Sequence, residues 1–297
     1  MKNTMLIFAT LISIGTISSQ TIEVKEGSDK FSSGIQNSLS TVILENSKDD
    51  IESEWKSLLK NFKNEKVKID KGELFADNVI IKEWGNNTVD IYTTFEEDKK
   101  AKAVKMHVCF DLGGAYLKST EQRDKYNYAA KMIRDFAVKM TKIPLESKVK
   151  DAEKLLDKYQ DDQKDLEKDN KNLKSDIVSY KGKIVNEEKE IATKEEELKK
   201  KNIEISTQQK IIDVSIDAVS EQAKSSKKIH EKLLGQKQDL EKNIKDSKED
   251  VKNYNGKIKK AEEEIKKNET DQVTKKAAIE SQKKVVEAAK KQVESVK

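Results

Sequence analysis

The sequence is poor in proline, cysteine and glycine, and each scarcity excludes a particular structural feature or kind of site. One proline in 297 residues, Pro144, leaves long stretches without the residue that interrupts helices. The single cysteine, Cys109, rules out an intramolecular disulfide. Only Gly182, Gly235 and Gly256 follow Pro144, and no glycine cluster has the spacing of a phosphate-binding loop. We therefore expect long uninterrupted helices and no nucleotide-binding motif.

Arginine is also scarce, although the chain is highly charged. The 59 basic residues include only Arg123 and Arg134 as arginines, and the 55 acidic residues reduce the net charge to +4. Bidentate phosphate recognition favours arginine, so we predict no nucleic-acid binding. Charged residues make up 38% and hydrophobic residues 35% of the chain. This composition is too polar for one large globule and favours a helical rod attached to a small domain.

Apolar residues recur every three and four positions through residues 145–297. The stripe begins as Leu145, Val149, Ala152, Leu156, Tyr159, and it returns later as Leu240, Ile244, Val251, Tyr254, Ile258, Ala261, Ile265. The remaining positions are mostly Lys, Glu, Asp, Asn and Gln. A single helix cannot bury such a stripe, so a partner helix is required. The pattern predicts a coiled coil in which Asn170 and Asn268 are register-setting polar residues.

The coil contains an internal repeat of about 74 residues. Shifting the chain by this amount places the Tyr-x-Gly-Lys-Ile segment of residues 180–184 on that of residues 254–258. Seventy-four is not a multiple of seven, which explains why the apolar register slips between the two halves. We interpret the repeat as a tandem duplication of about one long helix.

Two arrangements of the coil fit this pattern. One is a single helix roughly 230 Å long that pairs between chains. The other, which we favour, is an antiparallel hairpin of two helices roughly 110 Å each, turning near residues 223–228. The second arrangement would place Gly182 level with Gly256. Both make self-association or a protein partner the expected role of the coil.

The first 19 residues resemble a secretory signal peptide. Lys2 precedes an apolar run from Met5 to Ile17, followed by Ser18 and Ser19. We predict cleavage before Gln20 and an exported protein, periplasmic or secreted in a bacterium. The run is too short to span a bilayer, and we expect no transmembrane segment in the mature chain.

Residues 20–143 have the pattern of a small α+β domain. We predict strands at 21–24, 39–44, 79–84, 88–95 and 103–112, a β segment around Val67, and a hairpin turn at 85–87. Helices should begin at Ser47, with Asp50 completing a partial capping box, and near Ser119, ending or kinking at Pro144. These two helices would cover one face of an antiparallel sheet.

Three segments in this domain carry a resemblance to known sequences. They are Val-Asp-Ile-Tyr at 89–92, Phe-Asp-Leu-Gly-Gly-Ala-Tyr-Leu at 110–117, and Asp-Phe-Ala-Val at 135–138. They look like a family of uncharacterised exported bacterial proteins in which a small α+β domain precedes a Lys/Glu-rich coiled coil. The resemblance implies no activity, so it assigns no catalytic residue. It also implies that the coil of this chain is lengthened by the repeat.

The candidate metal ligands are His107, Cys109 and Asp111, which alternate along the strand at 103–112. All three residue types bind metals. However, alternate residues of a strand lie roughly 7 Å apart, and one flat face rarely brings three of them to one ion. We therefore predict an outward strand face that is partly covered by a loop, no metal and no cofactor. We also predict a positive-φ turn at Gly113 and Gly114, and no catalytic residue, because no motif would shift the pKa of a carboxylate.

We expect a non-enzymatic exported protein in which the coil acts as a spacer, an oligomerisation element or a partner-binding rod. The alternative is a periplasmic holdase-type chaperone, which would need an apolar inner surface on its helices. A third possibility, an envelope adaptor, would require an anchor and further domains. No small-molecule substrate is evident.

Overall fold

The computed structural model describes residues 21–214 and 221–297, which form two compact units. Among the described residues, one unit combines residues 21–157 with Glu280–Lys297, and the other comprises residues 158–214 and 221–279. The predicted signal peptide and its cleavage site before Gln20 lie outside the described residues. Across the part of the chain that is described, no helix is both long and apolar enough to cross a membrane.

The first unit is built on one antiparallel sheet, which confirms the α+β class. The strands are β1 (Lys25–Phe31), β2 (Gly34–Leu44), β3 (Lys66–Asp70), β4 (Glu73–Ile80), β5 (Thr88–Asp98) and β6 (Ala103–Asp111), in the order β1-β2-β6-β5-β4-β3. The helices are α1 (Lys48–Lys60), a 3-10 turn (Lys82–Trp84), α2 (Arg123–Asp213) and α3 (Glu221–Ser295).

Two predicted strands are misplaced. The first lies at Lys25–Phe31 rather than at 21–24, because this polar edge strand has no apolar alternation that the sequence could reveal. The segment 79–84 is only partly extended, since β4 ends at Ile80 and Lys82–Trp84 form a 3-10 turn. The start of α1 is as predicted: Ser47 Oγ accepts a hydrogen bond from Asp50 N at 3.2 Å.

The core lies between the inner face of the sheet and its covering helices. Trp55 of α1 is fully buried, donates from Nε1 to Thr93 Oγ1 at 2.9 Å, and meets Phe136 of α2 edge-to-face at 4.8 Å. Two covering helices were predicted, but the end of α3 also contributes. Val293 packs against the core, and Val296 is buried in it. The sequence could not show this because both valines also fit the coil stripe.

Helix α2 does not stop at Pro144, where the sequence predicted a stop or a kink. A proline inside a helix removes the hydrogen bond to the carbonyl four residues earlier, here that of Met140. Asn46, which lies just before α1, donates from Nδ2 to this carbonyl oxygen at 2.9 Å. The missing intrahelical bond is therefore replaced by a side chain from another element, and the helix continues.

The second unit consists of parts of α2 and α3. The turn predicted at residues 223–228 is wrong, because α3 is already helical from Glu221. The predicted segment, Ala-Lys-Ser-Ser-Lys-Lys, contains neither glycine nor proline, and nothing in it opposes a helix. Helix α2 ends at Asp213, so the chain leaves the helical conformation earlier than expected.

Candidate functional site

The outer face of the sheet is covered around His107 and Cys109, more completely than the partial cover by a loop that the sequence predicted. The turn between β1 and β2 reaches over this face, where Ser32 N donates to Glu73 Oε2 at 2.8 Å. Phe31 is buried, although it lies outside the main core cluster. His107 is 2% exposed and Cys109 is fully buried. The alternation along β6 was predicted correctly, but it could not reveal that a distant turn folds over the outer side.

A polar cluster lies on the same side of the sheet, and it is the most chemically suggestive group in the first unit. The Asp29–His107 cluster consists of Asp29, Ser38, Ser40, Glu96 and His107, which come from β1, β2, β5 and β6. Asp29 Oδ2 lies 2.7 Å from His107 Nδ1, and Ser40 Oγ lies 3.0 Å from the same nitrogen. Ser40 and Ser38 both donate to Asp29 Oδ2, with an oxygen–oxygen distance of 3.2 Å for Ser40.

The cluster contains serine, histidine and aspartate, but it is not arranged as a catalytic triad. In a triad the two imidazole nitrogens have different partners, one being the nucleophile and the other the carboxylate. Here Ser40 and Asp29 share Nδ1, whereas Nε2 is buried without a hydrogen-bond partner. The nearest acid to Nε2 is Glu96, whose Oε2 is 3.6 Å away. The hydrogen bonds join β1, β2 and β6, and the geometry does not activate a serine.

The environment of Asp29 favours its ionised form. Burial opposes ionisation, but hydrogen bonds from Ser38, His107 and Ser40 and the charge of His107 together lower the pKa of this carboxyl. An ionised Asp29 accepts all of these bonds at once. We conclude that the carboxylate anchors the exposed edge strand β1 to the strands beside it.

The three candidate metal ligands, for which no metal was predicted, have separate environments. Burial, with Asp111 and Glu73 nearby, raises the pKa of the Cys109 thiol to about 12, so it is not a reactive thiolate. Asp111 Oδ1 accepts from Gly113 N at 3.0 Å and Gly114 N at 3.1 Å. Both glycines have positive φ, as predicted for this turn. Within the described ranges, no group of three or more His, Cys, Asp or Glu side chains could hold a metal ion.

A groove of about 670 Å³ lies beside β1 and reaches Asp29 and Ser40. Its charged lining residues have both signs and are Glu23, Lys25, Glu26, Asp29 and Lys105. Val42, which is 44% exposed, also lines it. This mixed lining has no preference for a ligand of one charge.

In the second unit, the repeated Tyr-x-Gly-Lys segments meet each other. The rings of Tyr180 on α2 and Tyr254 on α3 stack with centroids 6.0 Å apart. Lys183 and Lys257 each lie over both rings, with Nζ 5.5 to 5.9 Å from the centroids. Equivalent residues of the two repeats therefore form one local layer with cation–π contacts.

A second layer in this unit is polar and buried. Asn170 donates to Asn268 Oδ1 at 3.4 Å, and Asn268 donates to Leu166 O at 3.0 Å. Gln272 completes the layer by donating to Asn268 Oδ1 at 2.7 Å. One turn of helix away, Lys275 pairs with Asp162 at 2.9 Å and lies over the Tyr159 ring. These side chains satisfy one another, as expected of polar residues in a coiled-coil seam.

Sequence analysis missed Asp29, Ser38 and Ser40 because it did not place a strand at residues 25–31. Their spacing carries no motif, so only the strand pairing brings them to His107.

Comparison with protein-family models and with curated proteins finds no match to this chain.

Proposed function

We propose that this is a non-enzymatic exported protein whose long helices pair as an antiparallel hairpin within one chain and act as a spacer or partner-binding rod. The observation that carries the proposal is the order of the contacts between α2 and α3 in the second unit. As residue numbers rise along α2, the numbers of their partners in α3 fall. The contacts are Asn170–Asn268, Tyr180–Tyr254, Glu195–Lys248 and Gln208–Ser226.

The repeat gives a physical reason for this pairing. Two copies of one helix offer the same apolar stripe, and antiparallel pairing brings Tyr180 against its own equivalent, Tyr254. From Lys158 to Asp213, α2 would extend roughly 80 Å at 1.5 Å per residue. A paired helix of this length keeps its ends apart, which is the property a spacer requires.

The arrangement of the polar cluster supports a role without catalysis. Asp29 and Ser40 both contact the same nitrogen of His107, Nδ1. The Cys109 thiol is buried, and burial raises its pKa. Both groups are used for packing the first unit. Export is proposed from the apolar run near the start of the chain, and sequencing the amino terminus of protein recovered outside the cytoplasm would test it.

The hairpin is tested by crosslinking two introduced cysteines. In a Cys109→Ala background, Glu195→Cys with Lys248→Cys replaces an ion pair whose atoms are 2.8 Å apart. A short bismaleimide should join these cysteines within one chain. The matched control is Glu195→Cys with Lys259→Cys, in which the second site is exposed on α3 but three turns away from Lys248.

Mixing ¹⁵N-labelled and unlabelled chains before crosslinking distinguishes the two arrangements left open by the sequence. An intrachain hairpin gives crosslinked peptides of one isotope only, whereas a coil between chains gives mixed peptides. Mixed peptides, or equal crosslinking of the control pair, would contradict the proposal. Suppression of aggregation of unfolded outer-membrane proteins would instead favour the chaperone alternative.

A further inference from the structure

The outer side of α2, between Ser175 and Ala192, has an apolar surface that no other part of residues 21–214 or 221–297 covers. Val178 is 70% exposed and Val185 is 62% exposed. Gly182 lies between them, with no atom within 4 Å of the place where a Cβ would sit. Two large exposed apolar side chains one heptad apart thus share one side of the helix with a glycine that no intrachain contact requires.

Lys181 and Glu188 flank this surface, and both charges are available to a partner. Neither forms an ion pair with any residue in 21–214 or 221–297, whereas Lys174 and Glu195, one heptad further out, are paired with α3. The residues three and four positions from Lys181 and from Glu188 are all isoleucine, valine or alanine. Intrahelical ion pairs between neighbouring turns therefore do not satisfy these two charges.

One antiparallel alignment with a second copy of α2 brings Val185 onto Gly182 and pairs the flanking charges, while Val178 of each copy lies opposite Lys189 of the other. It places Val185 of each copy over Gly182 of the other, and Ser175 opposite Ala192. In the same alignment Lys181 of each copy lies beside Glu188 of the other, in the flanking position that sets partner choice in coiled coils. A parallel alignment lacks this complementarity because it places Lys181 beside Asn186.

We propose that the outer side of α2 at residues 175–192 is a site of self-association, where two copies of the chain meet antiparallel. The inference rests on the proposed function, because pairing with α3 is what leaves this side of α2 outward. The contact is isologous, with the same residues contributed by both copies. The small apolar area makes it a weak dimer, with a Kd above roughly 1 µM.

Sedimentation equilibrium of the full chain, at concentrations up to about 0.5 mM, tests the site. The apparent mass should rise towards that of a dimer. Val185→Asp should weaken association at least about tenfold, since a charge would be buried against Gly182. The matched control is Val273→Asp, because Val273 is 69% exposed on α3 and lies outside the proposed surface; it should leave association unchanged.

A charge exchange tests the orientation. Lys181→Glu alone and Glu188→Lys alone should each weaken association, because like charges then face each other. The double variant restores opposite charges and should recover association to within about threefold of the original chain. A monomer at every concentration, equal effects of Val185→Asp and Val273→Asp, or no recovery in the double variant would overturn the proposal. The intrachain crosslink between positions 195 and 248 reports on the hairpin separately.

Discussion

At Pro144 a helix that covers the sheet passes through a proline without ending, and one side chain makes this possible. The carbonyl oxygen of Met140 has lost its helical donor and accepts instead from Asn46. Met140 is 1% exposed, so water cannot readily replace that donor. Asn46, two positions before α1, thereby fixes Met140 in α2 through a single hydrogen bond.

We predict that Asn46→Ala lowers the free energy of unfolding by about 1 to 3 kcal/mol, because it leaves a buried carbonyl unpaired. In a Pro144→Ala background, the amide of residue 144 can donate to the Met140 carbonyl. Asn46→Ala should therefore lower the free energy of unfolding by a smaller amount in that background. Urea denaturation of the four chains of this cycle measures the difference. Asn87→Ala, at an exposed turn position, is the control and should have little effect. Equal costs in both backgrounds would contradict the role given to Asn46.

Asp29 gives the first unit a dependence on acid pH. Its folded-state pKa lies below the ordinary value of 3.8, because hydrogen bonds from Ser38, His107 and Ser40 outweigh the effect of burial. The stabilisation is therefore complete above the unfolded-state pKa and is lost as the pH falls through the lower folded-state pKa.

We predict that Asp29→Asn flattens the loss of stability on acidification, since the substituted residue has no proton to gain. Denaturation midpoints measured between about pH 6 and about pH 2 would show a smaller decrease than in the original chain. Asp70→Asn, at an exposed position of edge strand β3, should preserve the original pH dependence. The opposite ranking of the two variants would show that Asp29 is not the group responsible.

At the scale of elements, sequence patterns predicted which residues of a strand or helix share a buried face. They missed the contacts made by segments that are distant along the chain. The alternation along β6 correctly assigned Val104, Met106, Val108 and Phe110 to the buried inner face. It assigned His107 and Cys109 to a wetter face partly covered by a loop, because the sequence of one strand does not show which distant turn folds over it or how fully that turn buries it. For the same reason the Asp29–His107 cluster was not predictable, since it depends on an edge strand with no apolar pattern.

In the seam between α2 and α3, the buried pair Asn170 and Asn268 fixes how the two helices align. Buried asparagines specify register in coiled coils at some cost in stability. We predict that Asn170→Leu with Asn268→Leu raises the thermal midpoint, while Asn268→Ala alone lowers stability by about 1 to 2 kcal/mol because it leaves the buried Asn170 amide without its acceptor. Circular dichroism melts measure both, with Asn172→Ala on the exposed side of α2 as the control. A lower midpoint for the double leucine variant would refute this account of the layer.

At the scale of the whole molecule, the first unit is assembled from two distant parts of the chain. Glu280–Lys297 belong to the same compact unit as the sheet, and Ile22 N donates to Lys297 O at 2.8 Å. Val296 is 1% exposed and belongs to the core cluster. The sequence assigned these residues to the coil, because their three- and four-residue spacing serves a core and a seam equally well.

We predict that Val296→Ala destabilises the first unit by about 1 to 3 kcal/mol, because it leaves a cavity among residues from several elements. Val273→Ala, which truncates an exposed valine on the same helix, should change stability by less than about 0.5 kcal/mol. Tryptophan fluorescence reports on the first unit, since Trp55 and Trp84 both lie in its core. Similar effects of the two truncations would contradict the placement of Val296.

The hydrogen bond between Ile22 and Lys297 also dictates an order of events during synthesis. A ribosome produces the sheet long before it produces the residues that seal its core. While the segment Lys158–Ile279 is being translated, the first unit of the nascent chain still lacks Glu280–Lys297, which complete its core. Completion of that domain must therefore wait until Val293 and Val296 have been translated, and the apolar surface that they cover is the part that a folding factor would have to shield.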